Sequence, residues 1–146
     1  MRVLGIDFGD RNIGLALSDA LRLTAQPLGT YRFRDREDAD KKFFTDLVRK
    51  HDIGEIVCGF PLRMDGSSGR RAEKTQAFAH WLEQTVGIPV RLWDERLTTH
   101  QAIQVMHEQK VSLSAKKSVV NQISAAIILQ TYLDSKRAEG HVPENH

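Results

Sequence analysis

The sequence predicts an α/β domain: a five-stranded mixed sheet, three antiparallel strands followed by two parallel ones, flanked by helices. Three observations predict it. Residues 2–8 and 13–19 are short apolar runs joined by a turn of Gly9, Asp10, Arg11 and Asn12, residue types that tolerate tight turns. Two later apolar runs, 55–60 and 90–93, alternate with stretches of helical periodicity, the pattern of strand–helix units with parallel strands. The last long helical pattern is apolar around most of its circumference, so it is expected to pack deep against the sheet.

Taken in order, the two opening runs read as a β-hairpin. A third strand is expected over about 23–33, where Pro27 marks an edge or bulged strand. Residues 38–51 carry Phe43, Phe44, Leu47 and Val48 three to four apart and predict a helix, with Gly54 as its stop. The run 55–60 reads as a buried parallel strand ended by Pro61. Residues 62–71 read as a loop with two glycines and three arginines. Helical spacing of Phe78, Leu82 and Val86 predicts a helix over 72–86, closed by Gly87 and Pro89. The strand 90–93 runs into Asp94, Glu95 and Arg96. Thr98 or Thr99 is placed to cap a short helix to Met106, and Ser112 or Ser114 a final helix over about 115–136. Residues 1–134 are read as one domain and 135–146 as a disordered polar tail.

Composition excludes several classes. The chain has 146 residues, 40% apolar and 27% charged, which is ordinary for one soluble domain with a real core. Cys58 is the one cysteine, so no internal disulfide forms. No apolar run approaches the ~18 residues of a membrane span, and Arg2, Asp7, Asp10 and Arg11 interrupt any signal-peptide core. The expected location is the cytoplasm, with no membrane partner. The net charge of +2 does not by itself call for nucleic acid. Local clusters do more: Arg63, Arg70 and Arg71, then Lys110, Lys116 and Lys117.

One residue conflicts with its surroundings. Asp7 lies inside the first apolar run, and an unpaired buried carboxylate is costly. A structural ion pair with Arg11 or Arg96 would explain it; so would a metal ion. In open α/β sheets, functional groups collect at the C-terminal ends of parallel strands. There the first strand ends near Asp7 and the last at Asp94 and Glu95. Converging carboxylates suit Mg²⁺ or Mn²⁺, and with a phosphate substrate the natural chemistry is metal-assisted phosphodiester hydrolysis. Asp94 and Glu95 could instead cap the following helix. On the final helix, Lys117, Asn121, Ser124, Ala125 and Ile128 share a face. Asn121 is the natural third ligand there, an amide oxygen without charge. Trp81, Trp93 and Cys58 read as core residues.

Four ordered motifs then carry a resemblance. Gly5-Ile6-Asp7-x-Gly9, continuing through Ile13-Gly14-x-Ala16-x-Ser18-Asp19, is the first. Ile56-Val57-x-Gly59-x-Pro61-Leu62-x-Met64-x-Gly66 is the second. Asp94-Glu95-Arg96-Leu97-Thr98-Thr99 is the third, and Ser124-Ala125-x-x-Ile128-Leu129-Gln130-x-Tyr132-Leu133 the fourth. Together they resemble the YqgF/RuvX family of ribonuclease H-like nucleases over about residues 2–134. The resemblance implies a ribonuclease H-like fold and a metal-dependent endonuclease. It implies Holliday-junction resolution or 5′-end maturation of pre-16S ribosomal RNA, hence pre-rRNA or branched DNA as partner. Cleavage would leave 5′-phosphate ends. It assigns Asp7 and Glu95 to metal binding and catalysis, together with an aspartate on the last helix, a position occupied here by Asn121. Arg11, Arg63, Arg70, Arg71, Arg96 and Lys117 are the expected contacts to the nucleic-acid backbone. Arg11 also stands beside Asn12, where the family has arginine.

The missing acid leaves three readings: one metal instead of two, compensation by Asp94, Asp10 or Asp19, or a non-catalytic nucleic-acid-binding module. A homodimer is the assembly that the resemblance to resolvases implies, and no sequence feature marks its interface.

Overall fold

The computed structural model describes residues 1–9, 11–34, 36–61, 65–66, 69–95 and 113–140, with the side chains of the last helix described from Val120 to Glu139. Strands β1 (Arg2–Phe8), β2 (Asn12–Ser18) and β3 (Ala25–Arg32) precede helix α1 (Glu37–Lys50). They are followed by β4 (Ile53–Phe60), α2 (Arg70–Val86), β5 (Val90–Asp94) and α3 (Leu113–Gly140). The sheet order is β3-β2-β1-β4-β5. β1, β2 and β3 pair antiparallel, and β4 is parallel to both β1 and β5. This is the expected mixed sheet.

Side-chain alternation divides each strand between two cores. Leu4, Ile6, Ile13, Leu15, Ile56 and Cys58 join Phe44, Phe78 and Leu82 under α1 and α2. Val3, Ala16 and Val57 face α3, through Ala125, Ile128, Leu129, Tyr132 and Leu133. Each fully buried Ile or Leu there contributes about 1.5–3 kcal/mol. The helix lies close because the sheet offers glycine beneath it: a Cβ on Gly5 would stand 2.7 Å from Leu129 Cβ. Trp81 packs on the first core and Trp93 on the second, and Cys58 is buried, as expected. Pro27 sits on edge strand β3, where the register with β2 shifts between Leu15 and Ala16.

The structure corrects five boundaries. Gly54 does not stop α1; it lies within β4, its α-carbon against Met1. The chain turns instead at Asp52, which has φ 53°. β3 begins at Ala25, because Leu23 and Thr24 donate their N–H groups to Asp19 Oδ1 at 2.7 and 3.0 Å. α2 begins at Arg70, so Arg70 and Arg71 belong to its first turn rather than to a loop. β5 extends to Asp94. The segment 135–140, expected within a tail, continues α3, and Lys136–Glu139 and Arg137–Asp134 pairs support its last turns. Residues 141–146 and the short helix expected over 98–106 lie outside the described residues. No described helix is long and apolar enough to cross a membrane.

Candidate metal centre and nucleic-acid interface

Asp7 is the penultimate residue of β1, on the face turned to α3. It is 7% exposed, and its Oδ1 is buried with no hydrogen-bond partner among the described residues. Among the described residues no ion pair joins it to Arg11. Burial pushes its carboxyl above the usual range, and the charge of Arg71 opposes the rise.

Glu95 directly follows β5, with the same strand parity as Trp93, and so lies on the α3 face. It crosses β4 at Gly59: a Cβ there would lie 3.0 Å from Glu95 Cγ and 3.1 Å from Cδ. Gly59 follows Cys58, the register partner of Ile6, so Glu95 reaches toward the end of β1. Its carboxyl is pushed up to about 7, first by burial and then by the negative charge of Asp7, with Arg71 opposing and Asp94 adding to the rise. Burial and these same two acids push the Cys58 thiol up. Asp7 and Glu95 thus feel each other through the low-dielectric interior.

Asn121, the third candidate, lies on α3 above β2. In the antiparallel ladder Asp7 is opposite Gly14. A Cβ on Gly14 would stand 2.0 Å from the carbonyl oxygen of Asn121 and 2.9 Å from its Cβ. The third residue therefore rests on the neighbour of the first.

The other acids weighed for compensation separate. Asp19 is at the opposite end of the sheet, where backbone N–H groups of Thr24 and Leu23 hold its carboxyl below the usual range. Asp94 pairs with Phe60 in register and falls on the α1/α2 face of β5, close enough to raise Glu95. Asp10 lies outside the described residues. Among the described residues no three His, Cys, Asp or Glu side chains converge on one point. The candidate donors are thus two carboxylates and one amide, all hard oxygens, and Oδ1 of Asp7 has no hydrogen-bond partner among the described residues. This set fits a divalent ion such as Mg²⁺ or Mn²⁺.

Of the expected backbone contacts, Arg70 and Arg71 are exposed on the first turn of α2, and Arg71 acts on both acids. Arg11 is exposed in the β1–β2 turn. Arg63 and Arg96 lie outside the described residues, as does the side chain of Lys117, one turn before Asn121. Lys74, which the sequence reading did not single out, is exposed one turn beyond Arg70 on α2. The signal was the i, i+4 row Arg70, Lys74, Phe78, which places two cations in line with a core residue.

Comparison with known proteins now decides the family. The sequence profile described as "RuvX: Holliday junction resolvase" matches residues 1–135. The chain belongs to the RuvX family. A relative from Acetivibrio thermocellus, described as "Putative pre-16S rRNA nuclease", is 48% identical over 137 residues, 93% of this chain and 97% of that one. One of the same description from Clostridium acetobutylicum is 43% identical, covering 92% and 99%. Among solved structures, Thermus thermophilus RuvC with a Holliday junction substrate superposes with a TM-score of 0.56 at 16% identity, covering 94% of this chain and 96% of that one. The yeast mitochondrial Holliday junction resolvase gives 0.58 at 12%, covering 97% and 81%. At such identities these two establish the ribonuclease H-like fold alone. RuvX membership makes the chain a hydrolase of phosphodiester bonds in nucleic acid, of a class that uses divalent metals. No described feature favours a non-catalytic binding module.

Proposed function

We propose that this RuvX protein is a cytoplasmic, divalent-metal-dependent endonuclease that trims the 5′ end of pre-16S ribosomal RNA, with four-way DNA junctions as its second substrate class. One observation carries the reading. A buried Asp7 and a half-buried Glu95 come close enough for the charge of one to raise the carboxyl of the other, and one oxygen of Asp7 has no hydrogen-bond partner among the described residues. Two acids held this way call for a cation.

Asp7 and Glu95 would hold Mg²⁺ or Mn²⁺, with the Asn121 amide as a weak third ligand. When bound, the ion supplies Lewis-acid activation and neutralises charge on the phosphate. The chain does the rest. The glycines under α3 let the three donors approach within a rigid frame, where small displacements matter most. Arg71, which acts on both acids, would stand between them and the phosphate backbone and steer the strand toward the site. Arg70 and Arg11, with Arg63, Arg96 and Lys117, would extend that contact along the strand. The relatives' description favours pre-rRNA as the first substrate, and the family profile keeps branched DNA as the second. A homodimer would suit a two-fold junction.

The test is cleavage of a pre-16S rRNA 5′ fragment and of a four-way junction in Mn²⁺ or Mg²⁺. Wild type is expected to cut the RNA and an Asp7→Asn variant to lose at least about a hundredfold in rate, the scale of a lost charge-stabilising group. Equal cleavage by the two would sink the assignment.

A further inference from the structure

Phe8 follows Asp7 and points to the opposite face of the sheet. There Phe8, Phe33, Phe78 and Trp81 line an open cleft of about 730 Å³, with Lys74 and Glu37 at its edge. The rings are ordered. Phe8 stacks on Phe78 at 4.4 Å, Phe33 meets Phe78 edge-on at 5.7 Å, and Trp81 lies tilted 5.9 Å from Phe78. Phe78 is buried, whereas Phe8, Phe33 and Trp81 are half-buried. A core needs no such mouth, because interiors close-pack.

The cleft opens at the same end of the sheet as the metal centre. Phe8 ends β1, Phe33 follows β3 and donates its N–H to Arg11 O at 2.9 Å, and α2 starts with Arg70 and Arg71. Along α2, Arg70, Lys74, Phe78 and Trp81 succeed one another at three- and four-residue spacing, so a cationic row leads into the aromatic one. The two acids of the lining do not oppose this. Asp40 is 1% exposed and its oxygens are taken: Oδ1 by the Tyr31 hydroxyl and the Arg34 N–H, Oδ2 by the Arg36 N–H. Glu37 is exposed and can accept from an amino or imino group of a base.

We propose that this cleft receives one unpaired nucleobase of the strand being cut, stacked on the aromatic rings while Lys74 and Arg70 hold its phosphate. The proposal rests on the nuclease reading. Cations for the backbone beside aromatic faces for bases are the chemistry of single-strand recognition. Single-stranded RNA beside a processing point offers such a base.

The experiment uses the full chain carrying Trp93→Phe, so that Trp81 is the only tryptophan. Trp93 Nε1 is buried without a hydrogen-bond partner among the described residues, so replacing it by Phe strands none of them. The probe is a short single-stranded RNA, in EDTA so that it stays intact, alongside versions with an abasic site moved one position at a time. Quenching of Trp81 is expected. One abasic position should abolish it and weaken binding about five- to a hundredfold, the range of one base–aromatic stack. Trp81→Leu should weaken binding of the intact strand similarly and make the abasic position irrelevant, with Trp81→Phe restoring binding. Lys74→Ala should weaken all strands alike and flatten the salt dependence by about one charge.

RNA bound without quenching, and with equal affinity at every abasic position, overturns the cleft and leaves the nuclease reading standing. Quenching by a short aromatic peptide and not by RNA also overturns it, and assigns the cleft to a protein partner. Absence of both binding and metal-dependent cleavage removes the nuclease reading itself.

Discussion

Gly14 and Asn121 meet backbone to backbone: a Cβ on Gly14 would stand 2.0 Å from the Asn121 carbonyl oxygen and 2.3 Å from its carbonyl carbon. Gly14 is also the register partner of Asp7. The contact therefore fixes how far the Asn121 backbone lies from the strand pair that carries Asp7. Gly14→Ala cannot be relieved by a side-chain rotation, because both neighbours are main chain. It is expected to destabilise the fold by about 3 kcal/mol or more, at the upper end of overpacking, as read from urea unfolding. An Ala variant as stable as wild type would show that α3 does not seat on this glycine.

Gly59→Ala should separate stability from activity. Its added methyl would meet Ile128 Cδ1 at 2.6 Å and Glu95 Cγ at 3.0 Å, side-chain rather than main-chain atoms. A cost of only about 1 kcal/mol is expected. Displacing Glu95 by a fraction of an ångström should nevertheless lower the cleavage rate about tenfold or more. Retained activity with lost stability would mean that Glu95 does not work across Gly59.

Much of this was legible in the sequence, and the parts that were not share a cause. The mixed sheet, three antiparallel strands and then two parallel ones, followed from apolar runs alternating with helical spacing, which are local signals. Asp7 stood out because an acid in an apolar strand violates a local rule. Asp40 did not, because an acid in the first turn of a helix is ordinary. Yet Asp40 is buried and bonds Tyr31 from the preceding strand, a relation that no sequence window contains. Glu55 is similar. It looked like an ordinary strand residue, but it accepts from Arg91 Nε at 2.5 Å and from the Tyr132 hydroxyl, joining β4, β5 and α3. The start of α2 was misplaced because two glycines and three arginines resemble a loop, whereas Gly69 in fact serves as the N-cap.

The metal-free protein should lose stability as pH rises through the neutral range. Glu95 has its folded pKa raised from 4.5 to about 7, and Asp7 is shifted in the same direction. Between about 4.5 and 7 the folded state therefore binds more protons than the unfolded one, and the free energy of unfolding falls with rising pH. The Glu95 part of the loss runs its course as pH passes through about 7. For Glu95 it is at most about 3 kcal/mol, from the size of the shift. Thermal melts in EDTA across this range should show the slope, and Glu95→Gln should flatten it. A stability that rises from pH 4.5 to 7 would contradict the burial of both acids.

Asn121→Asp should act in opposite directions with and without metal. In EDTA a third carboxylate joins two whose pKa values are already raised, so repulsion grows and the melting temperature should drop below wild type. With Mn²⁺ the added charge strengthens the site, and binding to the folded state alone raises stability by mass action. An increase in Mn²⁺ affinity of about tenfold or more is expected by calorimetry, with the order of melting temperatures reversed at saturating metal. Cleavage should rise with it if the amide limits the native site. Unchanged affinity and unchanged melts would place Asn121 outside the metal's reach, and the centre would then consist of Asp7, Glu95 and a donor beyond the described residues.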